Sequence, residues 1–486
     1  MRDLITAKKR NVFIAIFLIA LIIVSFFVAL TVLRVPAKQT EGPVPPFVGI
    51  ETGWNSNFSD CKTLIDKVKD YTNLFVIASS QILADEAQLN ETCDYAFNAG
   101  MYLIVYYQNL TASDTYPGII NHYTPSAWFT AAKERYGNHL LGMYFYDEAG
   151  GIQLDQNGPD SVKLPIASPI SYEDYYVNYY YLWTHGGGVP AAANFSHNLN
   201  SSLFTSDYAL YWFDYLVGYD TLFAQFGWNN SRALQISLVR GAAQAQNKDW
   251  GAIITWKYQQ TPYLENGTEL YNDMVLAYNS GANYILVYDS TKNYTSTTLL
   301  SDHFDALKNF WNYMQHNPDK HGILKADKVL VLPQYYAFGF RSPDDSVWRY
   351  HLPDNWTIKL YNDVTNLINQ YNSSLNIVFS DPQFQNAIQN NYSKILYWPK
   401  DFASNVTYPI IDENNDLGYN SIQEALSSYA TNQNDTILVK LGTYQEIFEA
   451  TKPFVLTTPN NETRNIPVSA NTINLIIESG HITLTT

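Results

Sequence analysis

The chain has 486 residues, 46% of them hydrophobic and only 15% charged, and its 39 tyrosines take much of the surface role that charges usually fill. That length holds one large domain and a small one. A net charge of −16 excludes a nucleic-acid partner, because phosphate binding needs a basic patch.

Arg2, Lys8, Lys9 and Arg10 precede an uncharged run from Asn11 to Leu33. As a helix at 1.5 Å per residue that run rises about 34 Å, enough to cross the hydrocarbon core. Basic residues ahead of it favour a cytoplasmic segment over 1–10 and a transmembrane helix over 11–33. A cleaved signal peptide is the alternative, although its apolar core is usually shorter. Residues 34–46 contain a Pro-rich spacer, PAKQTEGPVPP, which reads as a short stiff stalk. The main domain is then extracellular. N-x-S/T sequons spread from Asn57 to Asn461 agree with a glycosylated exterior. Cys61 and Cys93 are the only cysteines; in an oxidising compartment they would pair as a disulfide, and two buried free thiols are the alternative.

From Phe47 onward, apolar runs alternate with amphipathic segments, the pattern of parallel strands buried on both faces. Strand candidates are 47–53, 74–80, 101–107, 140–148, 220–228, 251–258, 283–290 and 328–336. Helices are expected over about 60–71, 85–99, 125–136, 232–245, 270–280, 303–315 and 359–371. Eight such repeats are the arithmetic of a (β/α)8 TIM barrel, assigned to residues 47–400. Apolar runs at 375–381 and 394–399 exceed that count, so a doubly wound parallel sheet is the alternative. The long connection after 148 carries YEDYYVNYYYLW (172–183). Its helical spacing suits either a helix packed on the barrel or an aromatic lid for sugar rings. Residues 401–486 turn to short Thr- and Asn-rich segments, a small β-rich appendage. Asp412, Asn414 and Asp416 alternate like the start of a calcium loop, but Leu417 stands where such loops need Gly. No metal or other cofactor is therefore implied.

A parallel barrel puts its ligand site at the C-terminal strand ends. Those ends offer Glu51 with Trp54, Gln108, Asp147 with Glu148, Gln225 with Trp228, Trp256 with Lys257, Asp289, and Tyr335, followed by Arg341 in the next loop. Carboxylates and amides match sugar hydroxyls, and aromatic rings match sugar C–H faces. No HExxH, GxSxG or phosphate-binding glycine pattern stands in a suitable context. Hydrolysis of a glycosidic bond needs two carboxyl groups, and Glu148 and Asp289 would face each other if their strands are the fourth and seventh.

On those two strand ends the chain resembles the superfamily of barrel glycoside hydrolases with an acid/base after strand four and a carboxylate after strand seven. The resemblance implies Glu148 as acid/base, beside Asp147 where that superfamily has Asn. It implies Asp289, where that superfamily has Glu, as nucleophile or base. The expected partner is a polysaccharide or surface glycan. The other class of function is a non-catalytic glycan-binding or cell-envelope protein. Separately, YNSIQEALSSYATNQNDTILVKLGTYQE (419–446) resembles the opening turn of pectin-lyase-type β-helices. The acidic, Lys-poor composition resembles cell-surface proteins of acid- and heat-loving archaea.

Overall fold

In a computed structural model, the protein is described over residues 46–485, apart from 111–121, 156–162, 187, 291–296, 349–355, 403–407 and 441–442. The expected transmembrane run 11–33 lies outside these residues. Among the described residues no helix is long and apolar enough to cross a membrane.

Eight parallel strands close into a barrel in chain order: β1 (Phe47–Thr52), β2 (Leu74–Ile77), β3 (Tyr102–Tyr107), β4 (Leu140–Phe145), β5 (Ser202–Asp207), β6 (Thr221–Phe226), β7 (Asp249–Ile254) and β8 (Tyr284–Asp289). β8 pairs with β1 from Phe47↔Tyr284 to Thr52↔Asp289, which closes the ring. The closed sheet sets aside the doubly wound alternative.

The count differs from expectation at β5. SLFTSD lacks a continuous apolar run, yet Thr205, Ser206 and Asp207 are buried. Their polar groups are bonded to the loop after β4 instead of to water, which is how a polar strand can be interior. Counting β5 moves every later strand up by one. The run expected as strand seven is β8, and 328–336 leaves the barrel altogether. Its strand, β9 (Lys328–Leu332), lies between β10 (Leu375–Phe379) and β11 (Lys394–Tyr397) in a separate parallel sheet.

That small sheet docks on the helix Arg232–Gln246, which links β6 to β7. Gly241 lets the backbones meet: a Cβ there would stand 2.4 Å from the Ile377 carbonyl oxygen. Beside it the buried Arg240 guanidinium donates to Asn376 Oδ1 at 2.9 Å and to the carbonyls of Leu324 and Ser373 at 2.7 and 2.6 Å. The C-terminal strands are β12 (Ile410–Asp412), β13 (Leu417–Tyr419), β14 (Thr436–Val439), β15 (Thr443–Glu449), β16 (Phe454–Thr457), β17 (Thr463–Ile466), β18 (Thr472–Glu478) and β19 (His481–Thr485); they form a five-stranded sheet, β13-β12-β14-β16-β17, and a three-stranded sheet, β15-β18-β19. This region meets the helix Tyr172–Tyr181, where the Tyr172 N–H donates to the Tyr429 carbonyl at 2.7 Å and the two rings stack at 6.2 Å. Tyr172 and Tyr179 are buried, so the tyrosine-rich helix packs between layers on one side.

Alternation along each strand sorts the barrel interior from its wall. The interior floor is aromatic: Phe47 meets Tyr102 and Tyr284 at 5.0 Å each, and Phe204 lies 5.3 Å from Tyr284 and 5.7 Å from Phe223. The layer above it, at the C-terminal ends, is polar.

Cys61 and Cys93 are free and buried, which corrects the expected disulfide. Both lie in the apolar core where the helices Phe58–Val68 and Glu86–Asn98 pack, and each acts as a small hydrophobe whose thiol burial pushes upward in pKa. Reductant should leave the melting temperature within about 1 °C. A disulfide would be worth about 3–4 kcal/mol in the chain-entropy model, so a drop of several degrees on reduction, read by calorimetry, would refute the free-thiol assignment.

Candidate functional site

Strand register decides which residues share the mouth of the barrel. Glu51 pairs with Tyr288 and Thr52 with Asp289; Tyr106 pairs with Tyr144. Residues in register point the same way and neighbours along a strand point oppositely. Glu51, Tyr106, Tyr144, Ser206, Gln225 and Tyr288 therefore form the polar top layer of the interior.

The chain turns sharply above β4. Tyr146 and Glu148 both take left-handed backbone conformations, each with φ +56°, so Asp147 and Glu148 do not alternate as strand residues would. Asp147 Oδ1 accepts from Tyr144 Oη at 2.7 Å and from Ser206 Oγ at 2.8 Å. Gln225 Nε2 donates to Glu148 Oε1 at 2.8 Å and to Ser206 Oγ at 3.0 Å. One chain of contacts thus runs Tyr144–Asp147–Ser206–Gln225–Glu148 across three strands.

The electrostatics follow from crowding of like charge in a concave site. Asp147 is open to water at its surface, while Tyr144 and Ser206 hold one of its carboxylate oxygens against the protein. Desolvation raises its carboxyl, opposed by the Tyr144 and Ser206 donors. Burial, then the neighbouring Asp147, pushes Glu148 up to about 8. Glu51 is raised well above the carboxylate range by burial and then by Asp147, and its Oε2 is buried with no protein donor. Three carboxyls within electrostatic reach cannot all ionise cheaply. The arrangement holds Asp147 as the best-solvated anion and keeps Glu51 and Glu148 as proton carriers.

Asp289 does not join them. It points to the outer side of β8, where Thr297 Oγ1, Thr298 N and Thr298 Oγ1 donate to it at 2.7–3.0 Å. Its surroundings are a separate pocket with Asn55, Asp60, Cys61 and Lys67 in its wall. The expected Glu148–Asp289 pair across the mouth is therefore corrected, for a reason readable as strand parity: Glu51 and Tyr288 face inward, so Asp289 cannot. The true strand seven, β7, runs on into Thr255 and Trp256, with no carboxylate at that end.

The remaining expected residues divide. Trp54 lies edge-on to Tyr106 at 6.0 Å, and Gln108 Nε2 donates to Tyr106 Oη at 3.0 Å, both beside the interior layer. Trp228, 44% exposed, donates its backbone N–H to the Trp256 carbonyl, and Trp256 packs on Tyr263 at 5.4 Å; these rings edge the β6–β7 side. Lys257 pairs with Glu269 at 2.7 Å, not with the central acids. Arg341 binds Asp155 at 2.5 Å and Asp345 at 2.7 Å, tying its loop to the short helix Ile152–Asp155 that follows Glu148. Tyr335 stacks on Tyr176 at 5.3 Å, within the aromatic layer.

Residues missed at the sequence level are Tyr144, Ser206 and Asp207. Tyr144 was findable from parity; Ser206 and Asp207 needed β5. Asp207 is buried, and its carboxylate accepts from the N–H groups of Gly150, Gly151, Tyr208 and Ala209 at 2.7–3.1 Å. A Cβ on Gly151 would lie 2.3 Å from the Tyr208 ring and 2.7 Å from Asp207 Oδ1. Gly151→Ala should therefore cost about 1–3 kcal/mol through overpacking; urea unfolding within about 0.5 kcal/mol of the parent would contradict that contact.

Asp412 is buried and faces Asp435, each raised mainly by burial. Asn414 Oδ1 accepts from the Thr436 N–H at 2.9 Å. Among the described residues no group of three or more His, Cys, Asp or Glu side chains is placed to hold a metal ion.

No protein-family model matches the sequence, and no curated protein matches it. Among solved structures, a GH5_18 protein from Streptomyces cattleya in complex with GlcNAc is similar over 74% of this chain and 99% of its own, at 10% identity and TM-score 0.45. D-psicose 3-epimerase in the presence of D-fructose is similar over 56% of this chain and 98% of its own, at 12% identity and TM-score 0.30. ScGas2 in complex with compound 8 covers 55% of this chain and 63% of its own, at 12% identity and TM-score 0.33. The closed ring of eight parallel strands, independently of these distant likenesses, makes the chain a TIM barrel with a carboxylate-lined mouth.

Proposed function

We propose that the protein is a glycoside hydrolase-like enzyme acting on polysaccharide or surface glycan. The observation that carries this reading is the convergence of Glu51, Asp147 and Glu148 at the barrel mouth, with Glu148 raised to about 8 by burial and the adjacent acid. A raised carboxyl beside one held as an anion is the division of labour that glycosidic hydrolysis needs. Glu148 is the general acid. Gln225 occupies its Oε1, which leaves the other oxygen to protonate a leaving glycosidic oxygen. Asp147, fixed by Tyr144 and Ser206, is the nucleophile or base, and Glu51 beside it carries the shared proton. Trp54, Trp228 and Trp256 supply faces for sugar rings, and Gln108 a polar contact.

The fuller reading places this domain outside the cell as a glycoprotein, anchored by residues 11–33 on the stalk of 34–46, in a cell-surface protein of archaeal type. The pectin-lyase-type resemblance of 419–446 belongs to the same proposal. A glycan-binding protein without turnover is the second reading. It is favoured by the end of β7, which carries Thr255 and Trp256 where the hydrolase pattern has a carboxylate.

A screen of the full chain against α- and β-linked polysaccharides, read as released reducing ends, tests both. Hydrolysis of at least one glycan, retained in Asp289→Asn, is the expected result. Binding without release of reducing ends would favour the second reading. Loss of turnover in a folded Asp289→Asn would remove the assignment of roles.

A further inference from the structure

The loop that carries Glu148 is held in a conformation it would not keep alone. Left-handed φ values at Tyr146 and Glu148 cost of order 1 kcal/mol each for residues with side chains, and persist only where the surroundings impose them. Those surroundings come from β5. The Glu148 N–H donates to the Ser206 carbonyl at 2.9 Å, and Thr205 Oγ1 donates to the Tyr146 carbonyl at 2.9 Å. Asp207 then takes the backbone beyond Glu148: Oδ2 accepts from Gly150 N at 2.7 Å, and both oxygens accept from Gly151 N at 3.0 and 3.1 Å. Its Oδ1 also accepts from Tyr208 N and Ala209 N, which fixes the carboxylate to its own strand end.

Behind Asp207 stands Asp214, also buried, from the helix Tyr211–Val217. Its Oδ1 accepts from Tyr179 Oη at 2.7 Å, and its Oδ2 has no protein donor. Burial raises both carboxyls, and the Asp214 charge raises Asp207 further. The other titratable groups around this pair are Tyr179, Tyr208, Tyr211, Tyr219, Glu148 and Asp155. Arg341 is the nearby cation, over the Tyr208 ring at 5.5 Å and bonded to Asp155.

We infer that Asp207 is a positioning residue for Glu148: it grips the Gly150–Gly151 backbone and holds the strained turn. This rests on the hydrolase reading for its effect on turnover, and on the geometry alone for its effect on the loop. Asp207 is fully buried and presents no surface to a ligand in the mouth. An uncharged amide in its place keeps one acceptor and puts a donor against backbone N–H groups.

Full-chain Asp207→Asn, Asp207→Glu, Asp207→Ser and Asp214→Asn test it, with circular dichroism to confirm folding. Hydrogen exchange of the peptide spanning Glu148 to Ile152 is the readout that needs no activity. Asp207→Asn should exchange there at least about tenfold faster, with the remainder of the barrel unchanged. On a glycan the parent hydrolyses, kcat should fall about 10²-fold, the scale of a 1 Å misplacement, while KM changes by less than about threefold. Asp207→Glu, which keeps the carboxylate, should recover part of kcat. Asp214→Asn, which leaves the bonds from Asp207 to Gly150 and Gly151 in place, should keep parent-like exchange and turnover. Unchanged exchange in Asp207→Asn would overturn the inference, and should that variant not fold, parent-like exchange in Asp207→Ser, which lacks both carboxylate oxygens, would do so. A parent inactive on every glycan sinks the hydrolase reading instead and leaves the exchange rates to decide the clamp.

Discussion

Glu148→Gln should abolish glycan hydrolysis, with kcat falling by about 10²–10⁴-fold, the usual scale for loss of a general acid, and KM little changed. The substitution is nearly isosteric, and the new amide can still offer its oxygen to Gln225 Nε2, the contact made by Oε1 at 2.8 Å. What disappears is the proton that burial and Asp147 hold on the carboxyl up to a pKa of about 8. The parent should therefore lose kcat as pH rises through that value, and the variant should show no such limb. Asp147→Asn should be as damaging for the opposite reason, since it removes the anion that Tyr144 and Ser206 stabilise. Substrates with an acidic leaving group, which need no protonation, should lose far less in Glu148→Gln than in Asp147→Asn. Equal losses on both substrate types would remove Glu148 from the role of acid.

The protein should be more stable at pH 5 than at pH 8. Several carboxyls are raised in the folded state: Glu148 and Glu265 to about 8, Asp214 to about 7, and Glu51, Asp207 and Asp412 upward, all chiefly by burial. An acid whose folded pKa exceeds its unfolded value contributes stability that is complete below the unfolded pKa and is lost as pH climbs through the folded one. The window is thus from the ordinary carboxylate range near 4 up to about 8. Acids lowered in the folded state, such as Asp85, Asp220 and Asp302, act in the opposite sense but below that window. Lys452, lowered to about 8 by burial, acts above it. A net uptake of even one proton by the native state is worth about 1.4 kcal/mol per pH unit, or about 4 kcal/mol from pH 8 to pH 5. Calorimetry should show a melting temperature higher at pH 5 by about 5 °C or more. A flat profile or a maximum near pH 8 would contradict the burial of these acids as protonated groups.

Much of this architecture was open to a reading of residues alone, because buried parallel strands must be apolar on both faces and helices must carry a stripe. Seven of the eight barrel strands, and the placing of Asp147 and Glu148 at the end of β4, follow from those patterns. β5 did not, because Thr205, Ser206 and Asp207 are interior by virtue of hydrogen bonds to the Tyr146–Gly151 turn, and no periodicity records a bond to a segment more than fifty residues away. Missing that one strand shifted the count and made Asp289 look like a partner for Glu148. Parity along β8 would have warned against it, but only the register with β1 shows that Glu51 and Tyr288 share the inward face. Cys61 and Cys93 show the same division: an even number of cysteines suggests pairing, while the packing of two helices leaves them as free thiols. What the residues determined was a parallel barrel with acids at the end of its fourth strand. Which acids meet, and at what protonation, was decided by the closed sheet, because desolvation and like-charge crowding exist only once Glu51, Asp147 and Glu148 are brought to one mouth.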